Sequence, residues 1–286
     1  MPDFTPLRSV LYMPSSNERA LEKAKTIACD ALILDLEDAV APDAKPAARD
    51  AAAAAAASGA YGRKTVTIRV NGIGTAWHDD DMVAAAQAGP AAIVVPKVNS
   101  ATEVRALVEA MERAGAPDHT RLWAMVETPI AILSALEIAQ ASGRLGAFVL
   151  GTNDLVKELY AEHVPGRTPL VPSLHTALLA GRAAGIAVID GVYNDVKNLD
   201  GFLAECEQGR QMGFDGKTLI HPGQVEGANS AFAPSAAAVE DARGLIEAFE
   251  ASDGGVVTYK NKMVENLHVE SARRTLAIDE AISALG

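Results

Sequence analysis

Eight short apolar runs, each followed by a longer segment of helical character, limit what this chain can fold into more than any other feature. They fall at residues 9–14, 31–36, 65–70, 92–97, 122–127, 147–150, 186–189 and 217–220. Most are predominantly apolar, which suits strands covered on both faces. Strands alternating with helices imply a parallel sheet with a helical coat. Eight such units within residues 1–232 match the size of a (β/α)8 TIM barrel; an open doubly wound sheet is the other arrangement of the same units. Ser15 with Glu18, and Ser100 with Glu103, read as capping boxes that start helices, the first running through Ala28. The alanine run at 51–57 reads as a helix with small side chains. After Phe232 come Ala233-Pro234-Ser235, a helix to about Phe249, Gly254-Gly255, an extended piece at 256–260 and a helix from about Leu267. Residues 233–286 are therefore expected to form a C-terminal helical extension that covers the mouth or docks on a neighbouring subunit.

Composition removes several partners. The net charge is -12, which argues against nucleic acid or an anionic membrane surface. A local basic cluster holding a phosphorylated small molecule stays open. No run of about 18 apolar residues exists to span a membrane, and the N-terminus lacks the basic-then-apolar order of a secretory signal. Cys29 and Cys206 form no CxxC motif, so a disulfide framework or zinc site is not expected. Two free thiols suit a reducing, cytoplasmic setting.

In a barrel the chemistry lies at the C-terminal ends of the strands. The charged residues there are Glu37, Asp38, Arg69, Lys97, Glu127, Asp154, Asp190 and His221. Glu127 and Asp154 follow adjacent strands, and two facing carboxylates repel unless a proton or cation lies between them. A hard divalent ion with one or two carboxylates, completed by water and substrate oxygens, describes a catalytic Mg²⁺ site. For Asp154 the competing role is capping the next helix. Arg69 can hold a carboxylate in two-point fashion, or pair with Glu37 or Asp38. Metal plus arginine suits a 2-oxo acid. Arg8, Arg19, Lys23 and Lys25 form a local basic cluster, read either as a solvated helix face or as a phosphate site. Gly72-Ile73-Gly74 and Gly216-Lys217-Thr218 lack the further glycines of a dinucleotide fingerprint or a P-loop.

Several motifs in order carry a resemblance: Ser9-Val10-Leu11-Tyr12-Met13-Pro14, Leu34-Asp35-Leu36-Glu37-Asp38-Ala39-Val40, Ile68-Arg69-Val70-Asn71, Val95-Pro96-Lys97, Val126-Glu127-Thr128, Gly151-Thr152-Asn153-Asp154, residues 213–222 and the late Met263 segment. Together the chain resembles the citrate lyase β-subunit-like proteins of the HpcH/HpaI aldolase superfamily, which include malyl-CoA and citramalyl-CoA lyases. The resemblance implies a (β/α)8 barrel, a homotrimer or hexamer, Mg²⁺ and an acyl-CoA substrate. It implies Glu127 and Asp154 as metal ligands, Arg69 on the 2-oxo acid carboxylate, Glu37 and Asp38 behind them, and Arg8, Arg19 and Lys23 near the CoA phosphates. The implied reaction is retro-Claisen cleavage of a 3-hydroxyacyl-CoA into a 2-oxo acid and an acyl-CoA. Alternatives are an acyl-carrier-protein thioester component, a malyl-CoA thioesterase, or a non-catalytic protein binding metal and 2-oxo acid. Where lyases of this family read Met-Ile-Asp, with the Asp as acid/base at a neighbouring subunit's site, this chain reads Met263-Val264-Glu265. Glu265 is thus either a longer acid/base or a helix N-terminal residue without a catalytic part.

Overall fold

In the computed structural model, which describes residues 4–252 and 257–285, the eight runs become β1 (Ser9–Pro14), β2 (Ala31–Asp35), β3 (Thr65–Arg69), β4 (Ala92–Val95), β5 (Arg121–Val126), β6 (Leu145–Leu150), β7 (Ala187–Asp190) and β8 (Gly216–Leu219). All neighbours pair in parallel, and β8 pairs with β1, so the sheet closes into a barrel. An open sheet is excluded. Residues 7–231 form one compact unit.

The side-chain period of two along each strand decides what fills the barrel. Val10, Ile33, Val94, Trp123, Met125, Val149 and Ile189 belong to one buried cluster. Advancing this register by two residues leads from Ile33 to Asp35, from Met125 to Glu127 and from Val149 to Gly151. The apolar interior is thus topped by a polar layer, with no change in strand geometry. Aliphatic residues fill most of this interior, each contributing about 1.5–3 kcal/mol by burial.

The helices that coat the sheet are α1 (Glu18–Ala24), α2 (Lys45–Ala57), α3 (His78–Ala88), α4 (Ala101–Arg113), α5 (Pro129–Leu133), α6 (Ala135–Ala139), α7 (Thr152–Glu158), α8 (Val171–Ala184), α9 (Leu199–Met212) and α10 (Val225–Phe232). The alanines of α2 bury Ala48 and Ala52, where small side chains allow close approach. Ser100 caps α4 as expected, accepting from the Glu103 amide at 3.2 Å. The cap of α1 differs: Asn17, not Ser15, accepts from the Ala20 amide, and the helix stops at Ala24. Ser15 is buried, and its own amide donates to the Asp35 carbonyl, which continues the β1–β2 ladder past the strand end. Both cysteines are free and buried. Among the described residues no helix is long and apolar enough to cross a membrane.

The described parts of 1–6 and 232–286 form a second unit. There α11 (Ala236–Glu250) and α12 (Asn266–Ser283) flank a hairpin of β9 (Val257–Tyr259) and β10 (Lys262–Val264). Its two turn residues, Lys260 and Asn261, both have positive φ, the signature of a type I′ turn that matches strand twist. Val257, Val264 and Val269 form its small core with Leu245 and Phe249. The sequence expectation of Gly254-Gly255 followed by an extended start at Val256 lies outside the described residues.

Candidate active site at the barrel mouth

The polar layer opens into a cavity of about 260 Å³ lined by residues including Tyr12, Asp35, Asp38, Arg69, Glu127 and Asp154. Arg69 and Glu127 belong to it because they sit two residues beyond interior positions. Asp154 reaches it from the first turn of α7. It does not cap that helix: Gly151 is the N-cap.

Arg69 is the best-held residue of the group. Its Nε and Nη2 donate to Asp35 Oδ1 and Oδ2 at 2.6 and 2.7 Å, a two-point clamp. Its Nη1 donates to Asp38 Oδ2 at 3.3 Å and lies 2.7 Å from Glu37 Oε2. That second contact is an ion pair without an aligned hydrogen bond, since Glu37 Oε2 is buried and has no bonded partner. The guanidinium carbon also stands 4.7 Å from the centre of the Tyr12 ring. The loop after β2 that carries Glu37 and Asp38 is fixed from behind. Lys45 Nζ donates to the carbonyls of Leu36 and Glu37, and Asn71 Nδ2 donates to Leu36 as well. Burial pushes the Glu37 carboxyl up to about 7, against the pull of Arg69 and with Asp38 adding to the rise.

Glu127 is only 2% exposed. Its Oε1 accepts from the Lys97 amide at 2.8 Å. No cation of the described residues lies within ion-pair distance of it. Burial, then the charge of Asp154, pushes its carboxyl up to about 7. Two neighbouring carboxylates, one of them buried, are stabilised by a cation or proton shared between them. Asp154 Oδ1 is 3.0 Å from Lys97 Nζ. Among the described residues no group of three or more His, Cys, Asp or Glu side chains could enclose a metal. The donor set is therefore two carboxylates, too few for a structural zinc site. It does fit Mg²⁺, which keeps most of its water and substrate ligands.

Two sequence groupings do not hold in space. Arg8 precedes β1, so it lies at the end of the barrel opposite the mouth. There its main chain and guanidinium both bind Asp30, at 2.7–2.8 Å. It is removed from the candidate phosphate cluster. Arg19 and Lys23, four residues apart on α1, are both exposed and remain as a cationic helix face. Asp190, the last residue of β7, faces α9 instead of the cavity. Arg167 Nη1 and Lys217 Nζ bind it at 2.7 and 3.0 Å, and Lys217 reaches Glu205 of α9 at 2.7 Å. Burial would raise its carboxyl, but these two cations hold it below the usual range. His221 starts a short 3-10 turn, with its Nδ1 accepting from the Gly223 amide. In the second unit Glu265 is exposed and is the N-cap of α12, and its amide donates to His268 Nδ1 at 2.9 Å.

Asp35, the principal partner of Arg69, was not among the sequence candidates. The signal was present, since a carboxylate inside Leu34-Asp35-Leu36 must be paired if the strand is buried. Gly151 was also missed as a spacing residue. A Cβ there would stand 2.0 Å from Glu127 Oε2 and 2.4 Å from Glu127 Cβ.

Known proteins share this architecture along the whole chain. A family model described as HpcH/HpaI aldolase/citrate lyase matches residues 8–222, and one described as a C-C bond lyase of the TIM-barrel fold matches residues 172–281. A (3S)-malyl-CoA thioesterase of Cereibacter sphaeroides is 51% identical over 284 residues, covering 98% of this chain and 97% of that protein. The citrate lyase subunit beta of Escherichia coli is 36% identical over 278 residues, covering 94% of this chain and 92% of that one. The crystal structure of protein CitE from Mycobacterium tuberculosis in complex with magnesium, acetoacetate and coenzyme A aligns with a TM-score of 0.77 at 28% identity, covering 96% of this chain and 97% of that chain. With an apolar barrel closed by eight strands and a carboxylate–arginine layer at its mouth, the chain belongs to the HpcH/HpaI aldolase/citrate lyase family.

Proposed function

We propose that this protein hydrolyses the thioester of a malyl-CoA-type substrate at the barrel mouth, with Mg²⁺ held by Glu127 and Asp154. The observation that carries the reading is the meeting of Glu127, Asp154 and Arg69 around one cavity. The thioesterase relative, 51% identical over nearly the full chain, favours hydrolysis over the carbon–carbon cleavage expected first from sequence. The change at Glu265 supports the same direction. Cleavage needs a proton donor of suitable reach at the acyl carbon, whereas hydrolysis makes no carbanion to quench.

In this reading Arg69 holds the free carboxylate of the malyl group. Its guanidinium is pre-set by Asp35, so little orientational freedom is lost on binding. Tyr12 and Met125 line the cavity beside Arg69. Bound Mg²⁺ supplies Lewis-acid polarisation of substrate oxygens. Water adds to the thioester carbonyl, the C–S bond breaks, and the CoA sulfur takes up the proton, leaving malate. Arg19 and Lys23 on α1 are suited to the CoA phosphates. The second unit is assigned to a neighbouring subunit's mouth in a cytoplasmic homotrimer or hexamer, as the family resemblance implies.

Product analysis with (3S)-malyl-CoA, with and without EDTA, tests the proposal. Free CoA thiol and malate in equal amounts, abolished by EDTA, are expected. Glyoxylate and acetyl-CoA without free thiol would establish the lyase reading instead.

A further inference from the structure

Lys97 follows β4 and touches both candidate ligands with different parts of itself. Its amide donates to Glu127 Oε1 at 2.8 Å, and its ammonium lies 3.0 Å from Asp154 Oδ1. Its backbone has φ of 52°, a region that residues other than glycine, asparagine and aspartate seldom occupy. Strain of this kind persists where the surroundings over-determine it, and here the amide is tied to a buried carboxylate. The side chain is less constrained, being 46% exposed. Among the described residues, Arg69 pairs with Asp35, Glu37 and Asp38 at this mouth and Lys97 pairs with Asp154, while Glu127 has no ion pair. Arg69 is committed to the β2 side by its clamp on Asp35. Among the described residues, Lys97 is the cation paired with Asp154.

We propose that Lys97 is an internal counter-ion of the metal pocket: its ammonium occupies Asp154 in the metal-free protein, opposes an incoming divalent cation, and so sets the affinity of the site. The inference rests on Glu127 and Asp154 being the ligands. A monovalent charge on the same carboxylate repels the ion and competes for its oxygens. Because the ammonium is half exposed, it can turn into solvent when displaced, with little desolvation change. Affinity for the metal is thereby lowered without altering either ligand.

Isothermal titration of the metal-free protein with Mg²⁺ tests this, without recourse to turnover. Lys97→Met keeps the amide and the backbone class but removes the charge. It is expected to bind Mg²⁺ roughly three- to tenfold more tightly at low ionic strength, with the gap closing in about 0.5 M salt. Lys97→Arg should stay within about twofold of the parent. If Lys97→Met folds poorly, Lys97→Asn serves in its place, since asparagine tolerates the left-handed region. Equal or weaker binding by the neutral variant overturns the proposal. Glu127→Gln and Asp154→Asn separate the two levels. Loss of affinity in both, without tightening in Lys97→Met, rejects only the role of Lys97. Unchanged affinity in both rejects the ligand assignment, and the role of Lys97 with it.

Discussion

Gly151→Ala is expected to lower turnover by at least about 100-fold while the barrel still folds. The added carbon would lie 2.0 Å from Glu127 Oε2, 2.4 Å from its Cβ and 2.9 Å from its Cδ. An oxygen at the tip of a flexible side chain could move aside, but Cβ is fixed by the backbone at the end of β5. The carboxylate is also tied to the Lys97 amide, so it cannot rotate away without breaking that bond. The backbone at the ends of β5 and β6 must therefore separate, and the two carboxylates with it. Overpacking of this kind costs about 1–3 kcal/mol, which a barrel of this size tolerates. The residue is not constrained by its dihedral angles, φ −96° and ψ 80°; the nearness of Glu127 alone demands glycine. Steady-state kinetics and circular dichroism together decide the matter. Turnover within twofold of the parent would mean that the Glu127 carboxylate is not where the chemistry occurs.

Arg69→Met should affect both stability and activity. Arg69 is 6% exposed and Asp35 is 1% exposed, so removing the cation leaves a buried carboxylate without its counter-charge. Breaking a buried pair in this way costs about 3–5 kcal/mol, which for a chain of this size lowers the melting temperature by roughly 6–15 °C. The backbone amides of Glu37 and Ala39 continue to donate to Asp35 and keep the loss from growing further. Glu37 adds a pH dependence. Its carboxyl is up at about 7 with Arg69 beside it, and loss of the guanidinium raises it further. A carboxyl whose folded value lies above its unfolded one favours folding when protonated. The part of the stability gap between variant and parent that comes from Glu37 should therefore be level below about pH 7 and widen as the pH rises above it. On the proposed reading, in which Arg69 holds the substrate carboxylate, turnover should also fall by at least about 10³-fold. Thermal melts from pH 5.5 to 8.5 read the first effect. A melting temperature unchanged at pH 8 would contradict the ion-pair account.

The parts of this molecule that were legible in the sequence are those set by periodicity along the chain. Each apolar run became a strand, and the charged residues just past the runs, Arg69, Glu127 and Asp154, came together at one cavity. Misreadings arose where closeness in sequence was taken for closeness in space. Arg8 and Arg19 are eleven residues apart, yet a whole strand separates them, so one lies at the bottom of the barrel and the other on the helix that follows it. Asp190 looked like its neighbours at the strand ends. It falls one residue out of the inward register of Ile189 and faces α9 instead. Ser15 yielded the cap of α1 to Asn17 because the β1–β2 ladder continues one residue further. The tie between the Lys97 amide and Glu127 was not legible, since a main-chain donor leaves no mark in residue type. Nor was the need for glycine at 151, which depends on the spacing of two strands 24 residues apart in the chain.

The most direct test of the site is to locate a divalent ion crystallographically, using the anomalous scattering of Mn²⁺ in place of Mg²⁺ with a malyl-CoA analogue bound. The expected result is one strong peak at about 2 Å from a carboxylate oxygen of Glu127 and one of Asp154, with the remaining positions filled by water and ligand oxygens. A peak elsewhere on the protein, or a bound analogue with no ion between these two carboxylates, would contradict it.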